Sequence, residues 1–232
     1  MKRRIIVIGL GTLGKEVALF LANNGAEVLA IDKQEEEVTR IAKEVSQVAI
    51  VDGTDMKTLR SLNAQEYDGA VVAIGDNIQS SIMTTLVLKD HLRIPEVFAR
   101  AVNEDHGQIL DKVGADTVFH VEREMGRRVG SSILRPHFRD YFGVSGDLAV
   151  IEINAEESMI GKTMAELDFK NRYKAYCLAL RRGRAGEKEE LGGLKTQETG
   201  RDRVVNMPEA DTRIQADDVL VLIGMDRDLQ SL

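Results

Sequence analysis

Residues 5–14 read Ile5-Ile6-Val7-Ile8-Gly9-Leu10-Gly11-Thr12-Leu13-Gly14, an apolar run that breaks into a glycine fingerprint and then into an amphipathic stretch. In a strand–turn–helix unit each glycine has its own task. Gly9 permits the tight turn, Gly11 lets backbone approach a pyrophosphate, and Gly14 lets the next helix pack closely on the strand. The helix N-terminus then faces the phosphates, which makes Gly9, Leu10, Gly11, Thr12 and Leu13 the candidate phosphate-binding residues. The next apolar run ends on Asp32, at the distance where an acid takes the ribose hydroxyls of a dinucleotide or adenine nucleotide. Its charge repels a 2′-phosphate, which favours NAD or ATP/ADP over NADP. The alternative is a glycine-rich turn that binds nothing.

The pattern continues outward from this unit. Short β-branched runs near 4–8, 27–31, 47–51, 69–74 and 96–101 alternate with helical patterns near 13–23, 34–45, 55–62 and 77–92, so the sequence predicts an α/β fold with a Rossmann-like, doubly wound parallel sheet. A helix near 103–113 ends at Gly114, a short strand covers 117–120, and Glu122 to Leu134 reads helical until Pro136. Met125, Val129, Ile133 and Leu134 recur on that helix at helical spacing, suited to packing on its own domain or on a second subunit. The first domain is therefore placed at 1–136 and an aromatic, glycine-containing linker at 137–146. A smaller α+β domain at 147–232 has strands near 147–153, 175–181, 202–206 and 218–223 and a short helix at 162–168. Residues 182–201, rich in glycine and charge, read as an exposed insertion.

The chain has 232 residues, 43% of them hydrophobic, and a net charge of −7, which removes the basic footprint of a nucleic-acid binder. One cysteine, Cys177, cannot form an internal disulfide and reads as core, in keeping with a reducing compartment. The apolar run after Met1-Lys2-Arg3-Arg4 breaks at Gly9 and Lys15, too early for a signal peptide or a membrane span, so a cytosolic location is expected.

In a doubly wound sheet, ligands sit beyond the carboxyl ends of the strands, where strand order reverses. Four loops converge there: Gly9 to Gly14, Asp32-Lys33, Asp52-Gly53-Thr54-Asp55, and Gly75-Asp76-Asn77. Asp52, Gly53, Thr54, Gly75 and Asp76 are candidates to face adenosine, ribose or phosphates; for Asp55 helix capping is the better reading. Arg100, near the end of the fifth strand, suits either phosphates, the carboxylates of the second loop, or a surface ion pair. His120 and Glu122 are two metal-ligand types on one extended segment, and Glu122 also suits a helix cap. No Ser/His/Asp, Cys/His or Tyr-x-x-x-Lys arrangement stands out, which favours a sensor over an NAD-dependent oxidoreductase.

Several of these segments together resemble the RCK (KTN, TrkA-type) regulatory subunits of bacterial Ktr/Trk potassium-uptake systems. They include the fingerprint, Val51-Asp52-Gly53-Thr54-Asp55, Ala73-Ile74-Gly75-Asp76-Asn77, Ala99-Arg100-Ala101 and His120-Val121-Glu122-Arg123-Glu124-Met125-Gly126. In the second half Ile160-Gly161-Lys162-Thr163 and Asp217-Asp218-Val219-Leu220 are similar to the TrkA-C module. The resemblance implies a non-enzymatic regulatory subunit on the cytosolic face of the cell membrane. Its partner would be a membrane-embedded potassium-translocating subunit, and it would form a homo-oligomer, a dimer assembling to an octameric ring. It implies ATP/ADP, alternatively NAD/NADH, as ligand, with Mg²⁺ or Ca²⁺ held by Glu122 between the nucleotides of a dimer. Thr12 stands where many ATP-responsive relatives have an arginine, and Lys170 where relatives that bind cyclic di-AMP have one, so neither preference is carried over. One copy of the two-domain unit matches the Ktr arrangement rather than the tandem Trk one.

Overall fold

The strand sequence Arg4–Ile8 alternates its side chains between two faces, and each face acquires its own core. In the computed structural model, which describes residues 2–134, 138–182 and 203–229, Ile6 and Ile8 join one buried cluster with Leu29, Ile31, Ala70, Val72, Val97 and Ala99. Ile5 and Val7 join another with Val28, Ala30, Ala18, Val38 and Ile41. Two apolar faces on these central strands require cover on both sides, which is what a parallel sheet flanked by helices provides.

The first compact unit, Met1–Glu124, is built on that plan. Its strands are β1 (Arg4–Ile8), β2 (Glu27–Asp32), β3 (Gln47–Ile50), β4 (Gly69–Val72), β5 (Glu96–Arg100) and β6 (Thr117–Phe119), all parallel in the order β3-β2-β1-β4-β5-β6. The helices between them are α1 (Thr12–Asn23), α2 (Glu35–Ile41), α3 (Met56–Ser61), α4 (Ile78–Leu86) and α5 (Glu104–Lys112). Strand order reverses between β1 and β4, and the register pairs Ile8 with both Ile31 and Val72. The carboxyl ends of β2, β1 and β4 therefore lie level, and the loops that follow them share one edge. Two helices differ from the sequence reading: the pattern at 77–92 resolves into α4 and a π-helical turn at Val87–His91, and α2 stops at Ile41 rather than near 45.

Helix α6 (Val121–Leu134) runs from the first unit into the second, Met125–Leu232. It has no buried residue among those described, and Met125, Val129, Ile133 and Leu134 are all exposed. The second unit is a five-stranded antiparallel sheet, ordered β10 (Arg203–Asn206), β9 (Tyr176–Arg182), β11 (Asp218–Met225), β8 (Leu148–Asn154), β7 (Phe138–Ser145). Short helices α7 (Met164–Leu167), α8 (Phe169–Tyr173) and α9 (Asp226–Leu229) complete it. Strand β7 corrects the linker read at 137–146. Its pairing with β8 is irregular at Phe138/Asp140 and again at Gly143/Ser145, and such shifts erase the strict alternation by which a strand is recognised. The insertion read at 182–201 lies outside the described residues except for Arg182, which ends β9.

Two side-chain features of this unit bear on its reactivity and stability. Burial pushes the Cys177 thiol up to about 12, so it stays protonated and inert, as core. Thr163 caps α7 reciprocally: its hydroxyl accepts from the Glu166 amide at 3.2 Å, and Glu166 accepts from the Thr163 amide at 2.7 Å. Thr163→Ala should therefore lower stability by about 1 kcal/mol, read as a fall in the urea midpoint. An unchanged midpoint would mean the box is ornamental.

Candidate nucleotide site

A cleft of about 480 Å³ opens at the carboxyl edge of the parallel sheet, at the strand reversal. It is large enough for a nucleotide, at the low end of ligand-pocket size. The glycine loop forms one wall. Gly9 sits at φ +91°, a left-handed turn that feeds β1 into α1. Gly14 lies so close to that turn that a Cβ there would be 1.7 Å from the Gly9 carbonyl oxygen, whereas a Cβ on Gly11 would meet nothing within 4 Å. The close approach and the open face are thus divided between two glycines, as the fingerprint predicts. Helix α1 starts at Thr12 with no side-chain cap and no acid in its first turn, so its first amides remain available to an anion.

Asp32 ties this wall to the next. One carboxylate oxygen accepts from the Leu10 amide at 2.6 Å and the other from the Gln34 amide at 2.9 Å. Asp52 is organised locally, with Oδ1 accepting from the Thr54 amide at 2.9 Å and the Thr54 hydroxyl at 2.7 Å. Those two bonds, the amide first, hold its carboxyl below the usual carboxylate range, so Asp52 is ionised at neutral pH. Gly53 is buried against Ile8 and Thr84, and the half-buried Gly75 lies against the Arg100 guanidinium.

Of the residues singled out in the sequence, Gly9, Gly11, Asp32, Lys33, Asp52, Gly53, Gly75, Asp76 and Arg100 line the cleft together. Leu10, Thr12, Leu13 and Thr54 do not. The Leu10 side chain is buried in the core and its amide is taken by Asp32, while Thr54 serves Asp52. Asp55 caps α3 through the amides of Lys57 and Thr58, and Asn77 caps α4 through the amide of Ser80. Gln34, Glu37 and Ser80 line the cleft without having been singled out. Their signal was positional: each falls within the loop or first helical turn that follows a strand end already identified.

Arg100 donates to Glu122 in the first turn of α6. Glu122's own backbone amide, and then the Arg100 guanidinium, hold its carboxyl below the ordinary value. Among the described residues no group of three or more His, Cys, Asp or Glu is arranged to hold a metal ion. Glu122 therefore offers one carboxylate, and a cation there would need further oxygens, such as those of phosphates.

Residues 5–121 match the TrkA-N domain. The chain belongs to the TrkA-N family. The match covers all of the parallel sheet but Arg4, and the first residue of α6, so the cleft lies within it. Among curated TrkA-N relatives, the Ktr system potassium uptake protein C of Bacillus subtilis is 34% identical over 229 residues, covering 99% of this chain and 95% of that protein. Ktr system potassium uptake protein A of Vibrio alginolyticus is 27% identical, covering 96% and 92%. Among solved structures, the GsuK RCK domain superposes with a TM-score of 0.53 at 23% identity, covering 99% of this chain and 45% of that one. The chain thus spans less than half of the GsuK chain that shares its fold. GsuK bound to ADP superposes with a TM-score of 0.51 at 26% identity over 58% of this chain and 34% of that one. No helix among the described residues is long and apolar enough to cross a membrane.

Proposed function

We propose that this TrkA-N chain is a nucleotide-sensing regulatory subunit of a potassium-uptake system, acting without catalysis of its own. The observation that carries this reading is the 34% identity to Ktr protein C across nearly the full length of both chains. Its partner is a membrane-embedded potassium-translocating subunit, and it works on the cytosolic face of the membrane as a dimer assembling to an octameric ring. ATP and ADP are the favoured ligands, with NAD or NADH as the alternative. The likeness to GsuK bound to ADP supports an adenine nucleotide. The glycine loop and the start of α1 receive the phosphates, Asp32 takes the ribose, and Asp52, Gly53, Gly75 and Asp76 close the remaining walls. Mg²⁺ or Ca²⁺ at Glu122 completes its coordination from the phosphates.

A nucleotide biases gating only through its different affinity for the two states of the assembly. A coupling of about 1.4 kcal/mol per site shifts that equilibrium about tenfold. The test is potassium uptake by vesicles that hold both subunits, loaded with ATP, ADP or no nucleotide. Uptake that differs at least severalfold between nucleotides is expected. Equal uptake in all three, with both subunits present, would overturn the reading.

A further inference from the structure

Arg100 occupies a position that the nucleotide reading leaves only half explained. It lies at the carboxyl end of β5, with its side chain 22% exposed and its guanidinium along Gly75. A Cβ on Gly75 would stand 2.4 Å from Nη1 and 2.7 Å from Cζ, so the absent side chain at 75 is what lets Arg100 lie flat against the cleft wall. Nη2 donates to Glu122, while the Nε is buried without a hydrogen-bond partner. The cleft lining is acidic: among the described residues Asp32, Glu37, Asp52 and Asp76 line it with two cations, Lys33 and Arg100. Lys33 follows Asp32 at the ribose end. Arg100 is then the one cation among the described lining residues that stands by Gly75, at the mouth of the fourth loop.

We propose that Arg100 is shared between two anions. Glu122 holds it when the cleft carries no phosphate, and the terminal phosphates of a bound nucleotide take it over, freeing the first turn of α6. This rests on the nucleotide reading above and concerns how phosphate occupancy is sensed. Energetics favour the exchange. Glu122 is 57% exposed, so on losing its partner it is solvated by water at little cost, and ion pairs of that exposure are weak. A phosphate offers the guanidinium a paired, charge-assisted contact inside the cleft, and the surrounding carboxylates make Arg100 the cation beside Gly75 on which a phosphate there depends. Glu122 belongs to α6, whose residues from Met125 onward fall in the second compact unit. Phosphate in the cleft thereby removes a tether on the helix that joins the two units in sequence. It also leaves Glu122 free for a cation only when phosphate is present.

Calorimetry at fixed ionic strength, with divalent cations chelated, tests this with ADP and adenosine on wild type, Glu122→Gln, Arg100→Gln and the double variant. Glu122→Gln should bind ADP about two- to fivefold more tightly, because phosphate no longer competes for the guanidinium, with adenosine unchanged. Arg100→Gln should weaken ADP about tenfold, and on that background Glu122→Gln should have no further effect. Unchanged or weaker ADP binding by Glu122→Gln would overturn the proposal. So would a tightening that persists undiminished without Arg100, which would reflect charge at a distance rather than exchange of one partner. Failure of wild type to bind both ADP and adenosine would instead remove the nucleotide site itself, and this proposal with it.

Discussion

Asp32→Ala should weaken adenosine, ADP and NAD⁺ alike, each by about ten- to a hundredfold, when affinities are compared by calorimetry. The carboxylate has two duties in the same place. It lines the cleft at the end of β2, and it accepts from the amides of Leu10 and Gln34 at 2.6 and 2.9 Å, joining the glycine loop to the second loop. Hydrogen bonds to a charged acceptor contribute about 1.5–3 kcal/mol each, and removing the acceptor strands a partly buried donor. Alanine would therefore lose the proposed contact to ribose and loosen the loop proposed to receive phosphate. Asp32→Asn, which keeps one oxygen acceptor, should fall between alanine and wild type. Equal affinity of Asp32→Ala and wild type for all three ligands would show that the cleft does not hold ribose at Asp32.

Gly14→Val should cost about 3 kcal/mol of stability and abolish nucleotide binding. The added carbon would sit 1.7 Å from the Gly9 carbonyl oxygen and 2.9 Å from its carbon, and both are backbone atoms that cannot rotate away. Helix α1 must then separate from the turn, opening the packing of Ala18 and Leu10 against the sheet. Helix propensity works the other way, since glycine inside a helix is about 1 kcal/mol worse than alanine, but the clash is the larger effect. Gly11→Ala is the control. Its methyl meets no atom within 4 Å, so stability should stay within about 0.5 kcal/mol, while phosphate-bearing ligands lose affinity to the methyl in their path. Urea unfolding with calorimetry separates the two variants. A Gly14→Val protein as stable as wild type would contradict the packing described here.

Much of the first unit was legible because its signals are local and repeat. Each strand is followed by a turn residue and an amphipathic segment, and the fingerprint marks the turn where a helix packs closely on its strand. The corrections arise where local signals compete with tertiary ones. β7 contains Phe138, Tyr141 and Phe142, good strand formers, yet two register irregularities break the alternation that marks a strand. Helix α8 follows directly on α7 through Asp168 in a left-handed conformation, a junction that propensity does not announce. In the cleft, loop positions were legible from strand ends, but the choice of partners was not. Whether Arg100 turns to Asp32 or to Glu122 depends on the exposure of each carboxylate and on the space beside Gly75, and neither is a property of spacing.

The central claim is tested most directly by equilibrium binding of ATP, ADP, NAD⁺ and NADH to the purified chain, with and without Mg²⁺ or Ca²⁺, while its mass in solution is followed. Tight binding of ATP and ADP by an assembly of ring size, strengthened by the divalent cation, is the predicted result. Selective binding of NAD⁺ or NADH by a species no larger than a dimer, with turnover of NADH on a small carbonyl compound, would contradict it and return the chain to the dehydrogenases.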